Sequence, residues 1–127
     1  MTRILLIGYA PDAVDYTDPA LPPGLDAETI AAGIAQGLER IRVRGWAADF
    51  CAVRPDETAG PAVTRQLGAE AYDCAVIGGG VRLASRGLAV FEAIVNAVRT
   101  ASPTTPIAFN TRPEDSDEAA ACWLPGG

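Results

Sequence analysis

Three consecutive glycines, Gly78, Gly79 and Gly80, followed two positions on by Arg82, are the densest chemical signal in the chain. They close the apolar run "CAVI". Glycines at a strand end that feeds a helix let backbone N–H groups approach a phosphate or carboxylate, and a nearby arginine can add a bidentate charged hydrogen bond. The same glycines also suit a tight turn that relieves crowding or supplies positive φ. Other reactive side chains follow the remaining apolar runs: Gly8, Tyr9 and Asp12 after the first, Arg54 and Glu57 after the second, and Asn110, Thr111 and Arg112 after the fourth.

What these groups can do is bounded by what the chain lacks. It contains no histidine, so Asp12, Glu57, Glu114, Tyr9 or a cysteine would have to carry any proton transfer, and serine hydrolysis with a histidine base is excluded. Cys51 and Cys74 lie in apolar runs, Cys122 lies near the end of an alanine-rich stretch, and no CxxC pair occurs; all three are expected to be reduced, small core residues. A zinc or iron site is therefore not expected. Asp12, Asp15 and Asp18 recur at every third position, but without EF-hand or other calcium spacing, so no metal and no cofactor are expected. The first strand is not followed by GxGxxG, and a chain without lysine cannot carry GxxxxGK[ST]. No catalytic signature is present.

The ten cationic residues, all arginine, face sixteen acids, giving a net charge of −6. That balance speaks against a nucleic-acid or anionic-membrane surface and leaves room for one local anion site. Met1 runs directly into "RILLIGY" without a charged leader, apolar stretch and cleavage site, so a cytoplasmic location is expected. With 127 residues, 49% of them hydrophobic, the chain suits a single domain over residues 1–127 with a real core.

The elements that must position these residues follow from hydrophobic period. Strands are predicted at about Arg3 to Tyr9, Ala48 to Val53, Asp73 to Ile77 and Pro106 to Asn110, each a short apolar run. Asp26 is a candidate N-cap for a helix bearing Ile30, Ile34, Leu38 and Ile41 on one face; Arg40, Arg42 and Arg44 suit its negative end, and Gly45 suits its C-terminal stop. Within it, Gly33 and Gly37 permit close approach to a neighbouring backbone. Pro61 opens a second helix with Val63 and Leu67 inward, Leu88, Phe91, Val95 and Val98 mark a third, and Ser116 is expected to cap a short last one. "RPDE" at Arg54 and "RPED" at Arg112 predict similar turns after the second and fourth strands.

Strands alternating with helices imply an α/β fold: a single three-layer α/β/α domain whose four-stranded parallel sheet has the order 2-1-3-4, with helices on both faces. Over nearly the whole chain this layout resembles the flavodoxin-like and Rossmann-like folds. Two features depart from proteins of that layout: the lysine that phospho-receiver domains place near their acidic pocket is missing, and the first loop holds one threonine where flavodoxins use a serine- and threonine-rich phosphate loop. That loop, about residues 8–25, is long and contains four prolines. It is expected to act as a lid or binding segment, or to pack over its own sheet edge or a second subunit through Tyr9, Tyr16 and Leu21.

In open parallel sheets ligands gather beyond the carboxyl ends of the strands where strand order reverses, here between the first and third strands. The resulting expectation is a small-ligand module for a phosphate- or carboxylate-bearing metabolite or nucleotide, a small anionic molecule held by the candidate residues above. The alternative is a non-catalytic homodimeric scaffold that uses the loop, Trp123 and Leu124 as its interface and takes no small ligand; a homodimer is the expected assembly of this short, apolar chain.

Overall fold

All four apolar runs form strands in the computed structural model, which describes residues 1–85 and 87–125. They are β1 (Arg3–Tyr9), β2 (Ala47–Val53), β3 (Cys74–Ile77) and β4 (Ile107–Phe109). Every pair is parallel, and the order is β2-β1-β3-β4. The register sets Ile7 of β1 between Cys51 and Ile77. β4 is shorter than predicted: Pro106 contributes only its carbonyl, to Ala75 N–H at 2.9 Å, and the Asn110 N–H reaches Ile77 O at a stretched 3.5 Å.

The helices are α1 (Ala27–Val43), α2 (Ala59–Ala69), α3 (Gly79–Leu83), α4 (Leu88–Ala101) and α5 (Ser116–Ala121). From β1 the chain steps one way to β2, then back across β1 to β3 and on to β4. Crossovers of one hand that run in opposite directions must lie on opposite faces. Accordingly α1 packs Ile34, Leu38 and Ile41 on the face carrying Ile4, Leu6 and Val76, joined by α5, while α2 and α4 cover Leu5, Ile7 and Ile77 on the other. β1 is thus buried on both faces, which is why "RILLIGY" is apolar at nearly every position.

Local chemistry sets the ends of α1. The Asp26 carboxylate accepts the Thr29 N–H at 2.7 Å, and after the Arg44 cap Gly45 turns the chain at φ +88°, a left-handed value that favours glycine. Near the same end the Arg42 guanidinium donates to the Ala48 carbonyl of edge strand β2 at 3.1 Å. In the middle of the helix Gly37 lets α1 meet the chain after β4: a Cβ there would stand 2.2 Å from Pro113 O. The close backbone approach expected of Gly33 and Gly37 is found at Gly37, against the Pro113–Asp115 3-10 turn, whereas at Gly33 the neighbour is the Glu114 side chain.

Three local expectations are corrected. Ser116 does not cap α5; Asp115 precedes the helix, and the Ser116 hydroxyl turns back to donate to Pro113 O at 2.7 Å. Leu88 is exposed, whereas Val98 of the predicted stripe is buried and Phe91 and Val95 pack partly buried against the core; Val90 and Ile94 complete the inward face of α4. Cys122 is exposed at the end of α5, whereas Cys51 and Cys74 are buried as expected; all three are free thiols.

Candidate functional site

The carboxyl ends of β1 and β3, the amino-terminal half of α1, the long first loop and the turn after β4 enclose a cleft of about 340 Å³. It exists because side chains are missing where layers meet. Gly8 follows Leu6 on the α1 side of β1, and a Cβ there would touch only the Phe50 ring, at 3.3 Å. Gly33, on the facing side of α1, makes room for the Glu114 carboxylate, 3.1 Å from where a Cβ would stand, and Gly80 opens onto space with nothing within 4 Å of a Cβ. Leu6, Phe50, Ile30, Ile34, Leu21 and Leu25 make most of the wall, so the cleft is predominantly apolar.

The triple glycine divides into two roles. The Gly78 N–H donates to Ile7 O at 2.8 Å, extending the ladder between β1 and β3, and a Cβ on Gly78 would lie 3.2 Å from that oxygen. The Gly79 N–H donates to Asn110 Oδ1 at 2.8 Å, and a Cβ there would lie 3.1 Å from Thr111 O. Both positions are tight against neighbouring backbone. Gly80 faces the cleft.

Asn110 is the organiser of this end of the sheet. It is 1% exposed; its Oδ1 holds α3, its Nδ2 donates to Ser116 Oγ at 2.9 Å, and its carbonyl accepts Arg82 Nη1 at 3.1 Å. Thr111 donates both its N–H and its hydroxyl to the Asp115 carboxylate. The two Arg-Pro turns differ here: Asp115 bonds back to Thr111, whereas Asp56 bonds forward to Thr58.

Eight of the twelve predicted site residues line the cleft: Gly8, Tyr9, Gly78, Gly79, Gly80, Asn110, Thr111 and Arg112. The other four lie elsewhere. Arg82 is turned to Asn110 O and to the Phe109 ring, 5.9 Å from its centroid. Arg54 and Asp12 pair with each other at 2.9 Å on the surface, tying the loop to the end of β2, and Glu57 is exposed beyond them. No protein-family model, curated protein or solved structure matches the chain.

Two side-chain contacts tie the loop to the rest of the chain and a third braces it internally. Besides the Arg54 pair, the Tyr16 hydroxyl donates to Pro11 O at 2.7 Å, and Asp18 accepts the Ser85 N–H at 2.8 Å together with its hydroxyl. These bonds set Leu21, Pro22 and Leu25 over the cleft. The three loop aspartates take separate partners: Asp12 pairs with Arg54, Asp15 caps Thr17, and Asp18 holds Ser85. Among the described residues no three acidic or thiol groups converge as metal ligands do.

The candidate proton-transfer groups differ in their state. Hydrogen bonding and charge from Arg54 hold Asp12 below the usual carboxylate range, so it is a poor base at neutral pH. Burial raises Tyr9, and it raises Cys51 and Cys74, the last to about 11, so these groups stay protonated. The features that sequence reasoning missed were apolar: Leu21, Leu25, Ile30, Ile34 and Phe50 read as core or loop residues because their pattern shows which face is buried and not whether that face is filled.

Proposed function

We propose that this protein binds a small organic molecule with a mainly apolar body in the cleft between α1 and the carboxyl ends of β1 and β3. One observation carries the reading: a concave apolar cavity of about 340 Å³ at the point where strand order reverses, lined by Gly8, Gly33 and Gly80. Small-molecule sites span about 300–1,000 Å³, combine apolar walls with a few polar groups, and favour this place in parallel sheets. The layout, similar to flavodoxin-like and Rossmann-like folds, supports the same location. A phosphate or carboxylate at the glycine turn is the weaker fit, since Ile7 O and Asn110 Oδ1 take two of the three glycine N–H groups and Arg82 is occupied by Asn110.

The test is fluorescence titration with 2-naphthylethanol, a neutral aromatic probe. Wild-type protein is expected to show saturable binding at one site. Gly80→Leu, which grows a side chain into open space at the cleft wall, is expected to lose binding without a lower melting temperature. Absence of saturable binding to wild type by this probe and by its amine and carboxylate counterparts, or equal binding by the variant, would refute the proposal.

A further inference from the structure

Glu114 gives the cleft a charge. Its side chain lies on the wall against α1, with Oε1 3.1 Å and Oε2 3.8 Å from where a Cβ on Gly33 would stand. The residue is half-buried, and among the described residues its carboxylate takes part in no hydrogen bond or ion pair. Arg40, the cation in contact with Glu114, donates to its main-chain carbonyl at 3.1 Å instead.

The other polar groups at this end are committed, exposed or, like the Tyr9 phenol, neutral. Both ends of the Asn110 amide are bonded, and the Thr111 hydroxyl is on Asp115. Thr29 is neutral and exposed. Arg112 lines the rim but is exposed, where water and salt screen its charge. The amino end of α1 also points toward the mouth, but its positive pole already carries Asp26 on the Thr29 N–H and Glu28 in the first turn.

We infer that the bound molecule carries a primary or secondary ammonium group seated on Glu114, its apolar body filling the cleft. The inference rests on the cleft being a ligand site, and it names the class of ligand: a cationic amine on an aromatic or aliphatic frame. A carboxylate flanked by apolar walls favours a charged N–H donor over a neutral hydroxyl, and it repels an anion.

Three probes sharing one body separate the possibilities: 2-naphthylethylamine, 2-naphthylethanol and 2-naphthylacetate, titrated at neutral pH and low salt into the full-length protein. The amine is expected to bind at least about tenfold more tightly than the alcohol, as a charge-assisted hydrogen bond implies, and the acetate most weakly. Glu114→Gln is expected to weaken amine binding by at least about tenfold, to the level of the alcohol. Binding of the alcohol with no preference for the amine, or a preference that survives Glu114→Gln, overturns the inference and leaves the cleft as a site. Tightest binding by the acetate, lost in Arg112→Ala, also overturns it and assigns the cleft to anions. If none of the three binds, the ligand reading itself falls.

Discussion

Replacing Gly37 by alanine tests how α1 is held against the wall of the cleft. The added Cβ would sit 2.2 Å from Pro113 O and 2.9 Å from Pro113 C, against a comfortable separation of about 3.5 Å. Either the helix or the turn must retreat by about 1 Å, and neither contact is the loose end of a side chain. Alanine gains about 1 kcal/mol of helix propensity over glycine. Overpacking of a closed contact costs about 1–3 kcal/mol or more, and here the displaced turn also carries the Ser116 bond to Pro113 O and the Arg40 bond to Glu114 O. With about 1 kcal/mol more for strain on those two bonds, the expected net loss is about 1–3 kcal/mol, or a fall of roughly 4 °C in Tm per kcal/mol for a chain of this size. Urea unfolding followed by circular dichroism gives the number, with Gly68→Ala and Gly33→Ala as references. Gly68 lies in α2 with nothing within 4 Å of its Cβ position, so its alanine variant should be stabilised by up to about 1 kcal/mol. Gly33→Ala should fall between, because its close neighbour is the carboxylate of Glu114, which can swing away. A Gly37→Ala protein as stable as wild type, or a Gly68→Ala protein equally damaged, would refute the reasoning.

Asn110→Ala should cost about 2–4 kcal/mol, since it removes the acceptor of the Gly79 N–H and the donor to Ser116 at once in a buried place; denaturant midpoints check it, and a loss under 1 kcal/mol would show that water replaces the amide. Stability should also fall in alkali. Burial and the hydrogen bond to Asp49 raise Tyr72 from 10.0 to about 12, and burial raises Cys74 from 9.0 to about 11, so the unfolded chain releases these protons first. Their contribution is whole below about pH 9 and drains away toward pH 12; Tm measured from pH 8 to 11.5 should decline, less steeply in Tyr72→Phe, and a flat profile would contradict the assignment.

Fold and site were unequally legible in the sequence. β1, the sheet order and the Asp26 cap could be read because each depends on local chemistry: a short apolar run, a one-handed crossover, a carboxylate three residues before an N–H. The inward face of α4 was only partly legible because Leu88, Val90, Phe91, Ile94, Val95 and Val98 are all apolar, so the stripe has no sharp edge. The site was half legible. Glycines and polar residues after strand ends marked the right corner, but nothing local distinguishes an Arg82 aimed at a ligand from one aimed at Asn110 O. That choice depends on a contact 28 residues away. The Gly37 contact with Pro113 and the Gly33 contact with Glu114 are likewise visible only once α1 is laid against the turn after β4.

The bond from Arg42 to Ala48 has a further effect, on how this chain meets others. β2 is a seven-residue strand with one neighbour, and β4, at the other edge, has only three residues. An unpaired strand edge is a template on which a foreign strand can add. On β2 the Ala48 carbonyl is already taken by a guanidinium, so an incoming backbone would have to displace a cation to gain that acceptor. The same arginine that favours the carboxyl end of α1 thus guards the longer edge against sheet-to-sheet growth, and at the opposite edge the strand is too short to offer much of a template.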